Sequence, residues 1–252
     1  MFSLSLFRQS VKANRVIWSV MTAVMTVLCV QFSALDMTRP LLFTVFYGMM
    51  TTILPGIYVL VTSNKLIAGQ VDRGSMAYIL STPIRRETVV FTQSVFMVVS
   101  LVLMFAVETL AHIAVNTAAP LSLATVGYTG LAGNISTKMI IQINASAFIV
   151  CLAMAAICMA FSGIFNSSRY AIGLAGAFLG ESILVNMLAM FGRLGVDGLK
   201  NLKYATICSF YDYESVLLGK ENWADHLLIP LIIGVLAFII GGTVFKKKDL
   251  PL

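Results

Sequence analysis

Charge is the scarcest commodity in this sequence. Only 11% of its 252 residues are Asp, Glu, Lys or Arg, against 59% hydrophobic ones. A soluble domain of that composition could not cover its own surface, so that class is excluded. Histidine occurs twice, at His112 and His226, and no His/Cys group has the spacing of metal ligands. The four cysteines suggest no disulfide framework: Cys29, Cys151 and Cys158 lie in apolar runs, and Cys208, in a polar region, has no evident partner. The patterns G-x-x-x-x-G-K-[ST], H-E-x-x-H and G-x-S-x-G are all missing. The chain therefore does not cradle ATP phosphates itself, and an intramembrane enzyme would lack nucleophiles or metal ligands. The apolar runs are continuous rather than alternating, which excludes an outer-membrane barrel.

What is present is a series of runs long enough to cross a bilayer. Residues 16–35, 41–62, 88–111, 139–161, 170–190 and 227–243 predict an all-α polytopic membrane protein with six transmembrane helices, a single domain over 1–252. The first run is too long for a signal-peptide core and reads as an uncleaved span. Ahead of it, Leu4, Leu6, Phe7 and Val11 alternate with Arg8, Lys12 and Arg15, predicting an amphipathic helix in the headgroup layer. Pro55-Gly56 predicts a kink in span two. Residues 204–218 are aromatic and amphipathic but too short and polar to cross, so they should form a re-entrant or interfacial segment before span six.

Basic residues set the expected orientation. Arg8, Lys12, Arg15, Lys65, Arg73, Arg85, Arg86, Arg169 and Lys246 to Lys248 fall on one side, the other six on the opposite side. That bias predicts both termini in the cytoplasm and a cell-membrane location. The net charge of +6 sits at span ends, where it meets anionic headgroups, and implies no nucleic acid.

Few polar groups lie within the spans. Glu181 falls near the middle of span five. A lipid-facing carboxylate there would cost about 2.5–3.5 kcal/mol, so it should face a helix partner or a polar path. Gly176 and Gly180, one turn apart, form a small-x-x-x-small pair suited to helix packing. Glu108 and His112 lie one turn apart near the predicted outer end of span three. They either share a proton or snorkel to the interface. Glu181 and Glu108 also leave open a proton-coupled secondary transporter or channel, although the chain has no internal repeat.

The stretch from Ser63 to Glu87 is the one long charged interruption in the first half. Leu66, Ile67, Val71, Met76, Ile79 and Leu80 recur at helical spacing, and Gly69 and Gly74 should break that helix into short pieces. Thr82-Pro83 reads as an N-cap and first helical residue that launch span three. Such a stretch is either a connector or a docking element for a soluble partner.

The run Asn64 to Arg86, with Asp72, then Gly74-Ser75, then Leu80-Ser81-Thr82-Pro83 and basic residues, resembles the first cytoplasmic loop of ABC-2 type transporter permeases. The ending Phe245-Lys-Lys-Lys-Asp-Leu-Pro-Leu252 resembles the usual ending of that family. Gln70 departs from it, since members often carry Glu there. The resemblance implies a non-enzymatic subunit that pairs with two ABC ATPase subunits, which bind ATP and Mg. It also implies a second permease copy or a relative, with a homodimer expected. ATPase docking would fall on Lys65, Gln70, Asp72, Arg73, Ser75, Tyr78 and Arg85. Spans two and five would line the path, with Tyr47, Met50, Phe178 and Glu181 as candidates. The family exports lipids, polysaccharides, drugs and antimicrobial or toxic peptides, and the compact chain fits a hydrophobic or amphipathic cargo.

Overall fold

The computed structural model describes residues 2–81, 84–128, 132–193, 197–220 and 222–249. Helix α1 runs unbroken over Leu4–Ala34, with the Ser3 hydroxyl accepting from the Leu6 amide at 3.4 Å. The predicted separate N-terminal helix is therefore the first part of span one. No Gly or Pro between Leu4 and Ala34 would break it. At 1.5 Å per residue it is about 46 Å long, more than the hydrocarbon layer is thick, so several turns project beyond that layer.

Span two is irregular from its start. A 3-10 turn (Arg39–Leu41) leads into a nine-residue π-helix (Leu42–Met50), and then into α2 (Thr51–Leu66). The irregularity thus starts well before Pro55, which sits inside α2. Proline cannot donate to the Thr51 carbonyl. The Cys151 thiol takes that carbonyl instead, at 3.7 Å, and the Asn186 amide donates to the Gly48 carbonyl at 3.3 Å. Neighbouring spans thus satisfy backbone groups that the irregular winding frees, as an apolar surrounding requires.

Two short helices follow, α3 (Ala68–Asp72) and α4 (Ser75–Leu80). The remaining helices are α5 (Arg86–Ala118), α6 (Thr137–Ile164), α7 (Ser168–Arg193), α8 (Tyr213–Leu217) and α9 (Leu228–Lys247). Among the described residues, six helical stretches are long and apolar enough to cross a membrane, in the order the sequence predicts. Thr82 and Pro83 lie outside the described residues. The helix they were expected to launch starts at Arg86, after an extended Arg85.

α6 is the central helix, and α1, α7 and α9 lie at the periphery. α6 and α9 cross at close range through small residues. A Cβ on Gly241 would stand 2.6 Å from the Ala160 Cα, and one on Gly163 2.7 Å from the Gly241 carbonyl oxygen. α1 and α5 are joined by polar contacts: the Ser10 hydroxyl donates to Gln93 Oε1 at 2.7 Å, and Trp18 Nε1 to the Ser100 carbonyl at 2.8 Å.

The two chain ends meet the same face of the bundle. Lys65 Nζ donates to the Ala13 carbonyl, Arg86 to the Lys248 carbonyl, and Asn166 to the Asp249 carbonyl. Lys246 pairs with Glu87, and Lys248 Nζ donates to the Phe165 carbonyl at 3.2 Å. Burial, and then the charge of Arg86, bring the Lys248 amine down to about 8. On the opposite face the connections fold back onto the helices. Leu121, Leu123 and Val126 are buried, as are Ile207, Tyr211, Tyr213 and Val216. The segment before α9 is therefore packed into the bundle, and Cys208 is buried with it.

Candidate functional site

The charged stretch forms a compact two-helix element. Its break falls at Ile67 and Gly74 rather than at Gly69. Gly74 adopts a left-handed φ of 71°, open to glycine at little cost, and nothing lies within 4 Å of its missing Cβ. Gly69 stays within α3, where a Cβ would meet the Asn64 carbonyl oxygen at 3.1 Å. Ile67, Val71 and Met76 are buried beneath the element. Asp72, Arg73, Ser75 and Tyr78 point outward, Tyr78 being 81% exposed. Lys65 and Arg85 are also exposed, while Gln70 is half-buried. Six of the seven docking candidates thus share one exposed end of the molecule, and Gln70 turns partly inward.

The end of α2 that leads into the element is tied to span five by a reciprocal pair. Asn64 Nδ2 donates to Ser168 Oγ at 2.8 Å, and Ser168 Oγ donates to Asn64 Oδ1 at 3.1 Å. The pair joins α2 to α7 just ahead of α3. The sequence gives no hint of this pair, since an Asn and a Ser at two span ends carry no mark of their contact.

The path candidates have different surroundings. Tyr47 is wholly buried and lines no open path in this conformation. Met50 and Phe178 are half-buried. Glu181 stands exposed on α7, its carboxylate 3.4 Å from the Ser182 hydroxyl. Among the described residues of one chain, Glu181 meets no side chain of another helix within hydrogen-bond distance, which leaves it free to face a partner or a polar path outside the chain. A Cβ on Gly176 would meet Leu60 Cδ2 at 3.8 Å, so Gly176 packs against α2, whereas among the described residues nothing lies within 4 Å of a Cβ on Gly180.

Glu108 and His112 do not snorkel. Both are buried, because α5 continues to Ala118 and places them inside the helix rather than at its end. Tyr47 Oη lies 3.3 Å from Glu108 Oε1 and 2.5 Å from His112 Nδ1, and it accepts from Asn144 Nδ2 at 3.2 Å. Cys29 joins this group from α1. Sequence reasoning saw the i, i+4 pair but not Cys29, Tyr47 or Asn144 as its partners. The available signal was weak: each is one polar side chain on an apolar span.

A pocket of about 330 Å³ opens on the face opposite the chain ends, lined by Asn186, Tyr204, Thr206, Asp212 and His226 among others.

These features define a multi-pass α-helical membrane protein with an exposed helical element at one face. The chain belongs to the ABC-2 transporter family: the family described as "ABC-2 family transporter protein" matches residues 4–250. A search of curated proteins finds no match. Membership makes the chain an ABC-type permease, a transmembrane subunit of a kind that generally lacks catalysis of its own. It takes precedence over the proton-coupled alternative.

Proposed function

We propose that this chain is the membrane half of an ATP-driven exporter in the cytoplasmic membrane, with both termini in the cytoplasm. Two copies would pair with two ATPase subunits, which bind ATP and Mg. The cargo would be a hydrophobic or amphipathic molecule: a peptide or toxin, an antimicrobial or a drug. The observation that carries this reading is the α3–α4 element, with an apolar underside in the bundle and Asp72, Arg73, Ser75 and Tyr78 outward. Lys65 and Arg85 flank it, and Gln70 lies at its edge. Closure of the ATPases would press on this element, and the Asn64–Ser168 contact would carry the motion into spans two and five. Those spans hold Tyr47, Met50, Phe178 and Glu181, which would border the path as it opens.

The test is capture and uncoupling. A photo-crosslinker on Ser75→Cys should trap an ATPase subunit, and affinity purification of the chain should bring one down. Asp72→Lys with Arg73→Glu should leave the chain inserted but cut the transport-linked part of the ATPase rate by about tenfold, the equivalent of some 1.4 kcal/mol of interface energy. Absence of any captured ATPase, with transport unaffected by the reversal, would reduce the element to a connector.

A further inference from the structure

Cys29, Glu108 and His112 meet inside the bundle. Each offers one donor atom, and these atoms all lie within 4.8 Å of one another. No side chain of the three is more than 1% exposed. α1 supplies Cys29, and α5 supplies the other two, which share a face because they are four residues apart.

The surrounding hydrogen bonds leave lone pairs without partners. Tyr47 Oη has one proton, which it donates to Glu108 Oε1 at 3.3 Å. Toward Asn144 Nδ2 and His112 Nδ1 it then acts as acceptor. In the tautomer with its proton on Nδ1, which lets Tyr47 Oη accept from the imidazole, Nε2 keeps its lone pair. Among the described residues, His112 Nε2 and Glu108 Oε2 are both buried with no hydrogen-bond partner. Polar atoms left unpaired are costly in a lipid-embedded interior. Holding one imidazole nitrogen through a second group is how metal-binding histidines are oriented.

We propose that Cys29, Glu108 and His112 form a binding site for a borderline divalent transition-metal cation of the zinc type. The ligands are a thiolate, a carboxylate and a neutral imidazole, a mixed S, O and N set that suits such a cation. The two anionic ligands offset the double positive charge, so the loaded site is neutral within the bundle. Binding displaces the thiol proton and the carboxylic acid proton to solvent. Bonds of about 2.0–2.3 Å at tetrahedral angles need ligand atoms closer than 4.8 Å, so the three draw inward on binding. Water fills the fourth position. The metal then clips α1 to α5 beneath an aromatic cover, in which Phe43 stacks on Tyr47 with ring centroids 5.4 Å apart and on Tyr213 at 6.2 Å.

Co2+ is the probe, because it occupies zinc sites and reports its ligands by absorption. The full chain, purified in detergent and stripped with chelator, should bind about one equivalent of Co2+. Tetrahedral ligand-field bands and a thiolate charge-transfer band should appear and vanish on adding Zn2+. Cys29→Ser should abolish the charge-transfer band, and His112→Gln should weaken Zn2+ binding by about 100-fold. Cys208→Ala, which removes a thiol on another element, should change neither. Elution volume and helicity check that each variant is folded. Glu108→Gln is the substitute should Cys29→Ser fail to fold, and it should keep the thiolate band while weakening affinity. A wild-type chain with no thiolate band, or the same band in Cys29→Ser, would overturn the site.

Discussion

Tyr47 shows how much a single hydroxyl can organise. It meets Glu108 from α5, His112 from α5 and Asn144 from α6, all from a backbone wound as a π-helix. Tyr47→Phe keeps the ring and removes one oxygen, leaving those groups without their shared partner. Unsatisfied buried polar groups cost on the order of 1–3 kcal/mol each, so the variant should lose about that much stability even in the absence of metal. Thermal unfolding in detergent, with helicity checked, measures it; an unchanged midpoint would mean that the network does not hold the spans together. At this scale the sequence was only half legible. The spacing of Glu108 and His112 put them on one face, but whether that face met lipid headgroups or core depended on where α5 ends. The helix passes the predicted limit at Ala111 and continues to Ala118, where the following loop packs against the bundle. A hydropathy run does not record such packing.

Elements pair through their smallest residues. Gly234 and Gly241 lie seven residues apart on α9, as do Ala153 and Ala160 on α6, so both pairs hold to a seam between the helices. Gly241→Ala places a methyl against the Ala160 backbone, which has no flexible end to move aside, and should destabilise by about 1–3 kcal/mol. Gly180→Ala meets nothing within the chain and should raise helix stability by about 0.5–1 kcal/mol. Measuring both by thermal unfolding separates an intrachain seam from an open face. Equal effects would contradict the α6–α9 crossing. The glycines of α9 are visible in the sequence, but the helix that meets them is not, because small residues do not name their partner. Of the loop helices, the break at Gly74 was legible because a left-handed turn favours glycine there. The break at Ile67 was not, since it arises where Asn64 packs against Gly69.

For the whole molecule, the order of six spans and the gathering of both chain ends at one face could be read from apolar length and basic residues. Which helix faces lie bare could not, since peripheral spans and central ones are equally apolar. α7 leaves Leu174, Ala177, Glu181, Leu184 and Leu188 exposed along one side, with the carboxylate in the middle of the stripe. Against lipid, that carboxylate would cost about 2.5–3.5 kcal/mol. A second copy of the chain would remove the cost by covering the stripe, and the bare Gly180 beside it lets a helix approach. The prediction is that Leu184→Cys, in membranes treated with a mild oxidant, forms a disulfide-linked dimer. The four native cysteines are buried, which leaves the added thiol as the accessible one. Glu181→Gln preserves a hydrogen-bonding group and should retain the crosslink. Glu181→Ala removes it and should lower the dimer yield by up to about tenfold, the equivalent of one lost hydrogen bond. If Leu184→Cys stays monomeric while Val20→Cys on the exposed side of α1 crosslinks, the copies meet through α1, and Glu181 faces cargo or lipid rather than its twin.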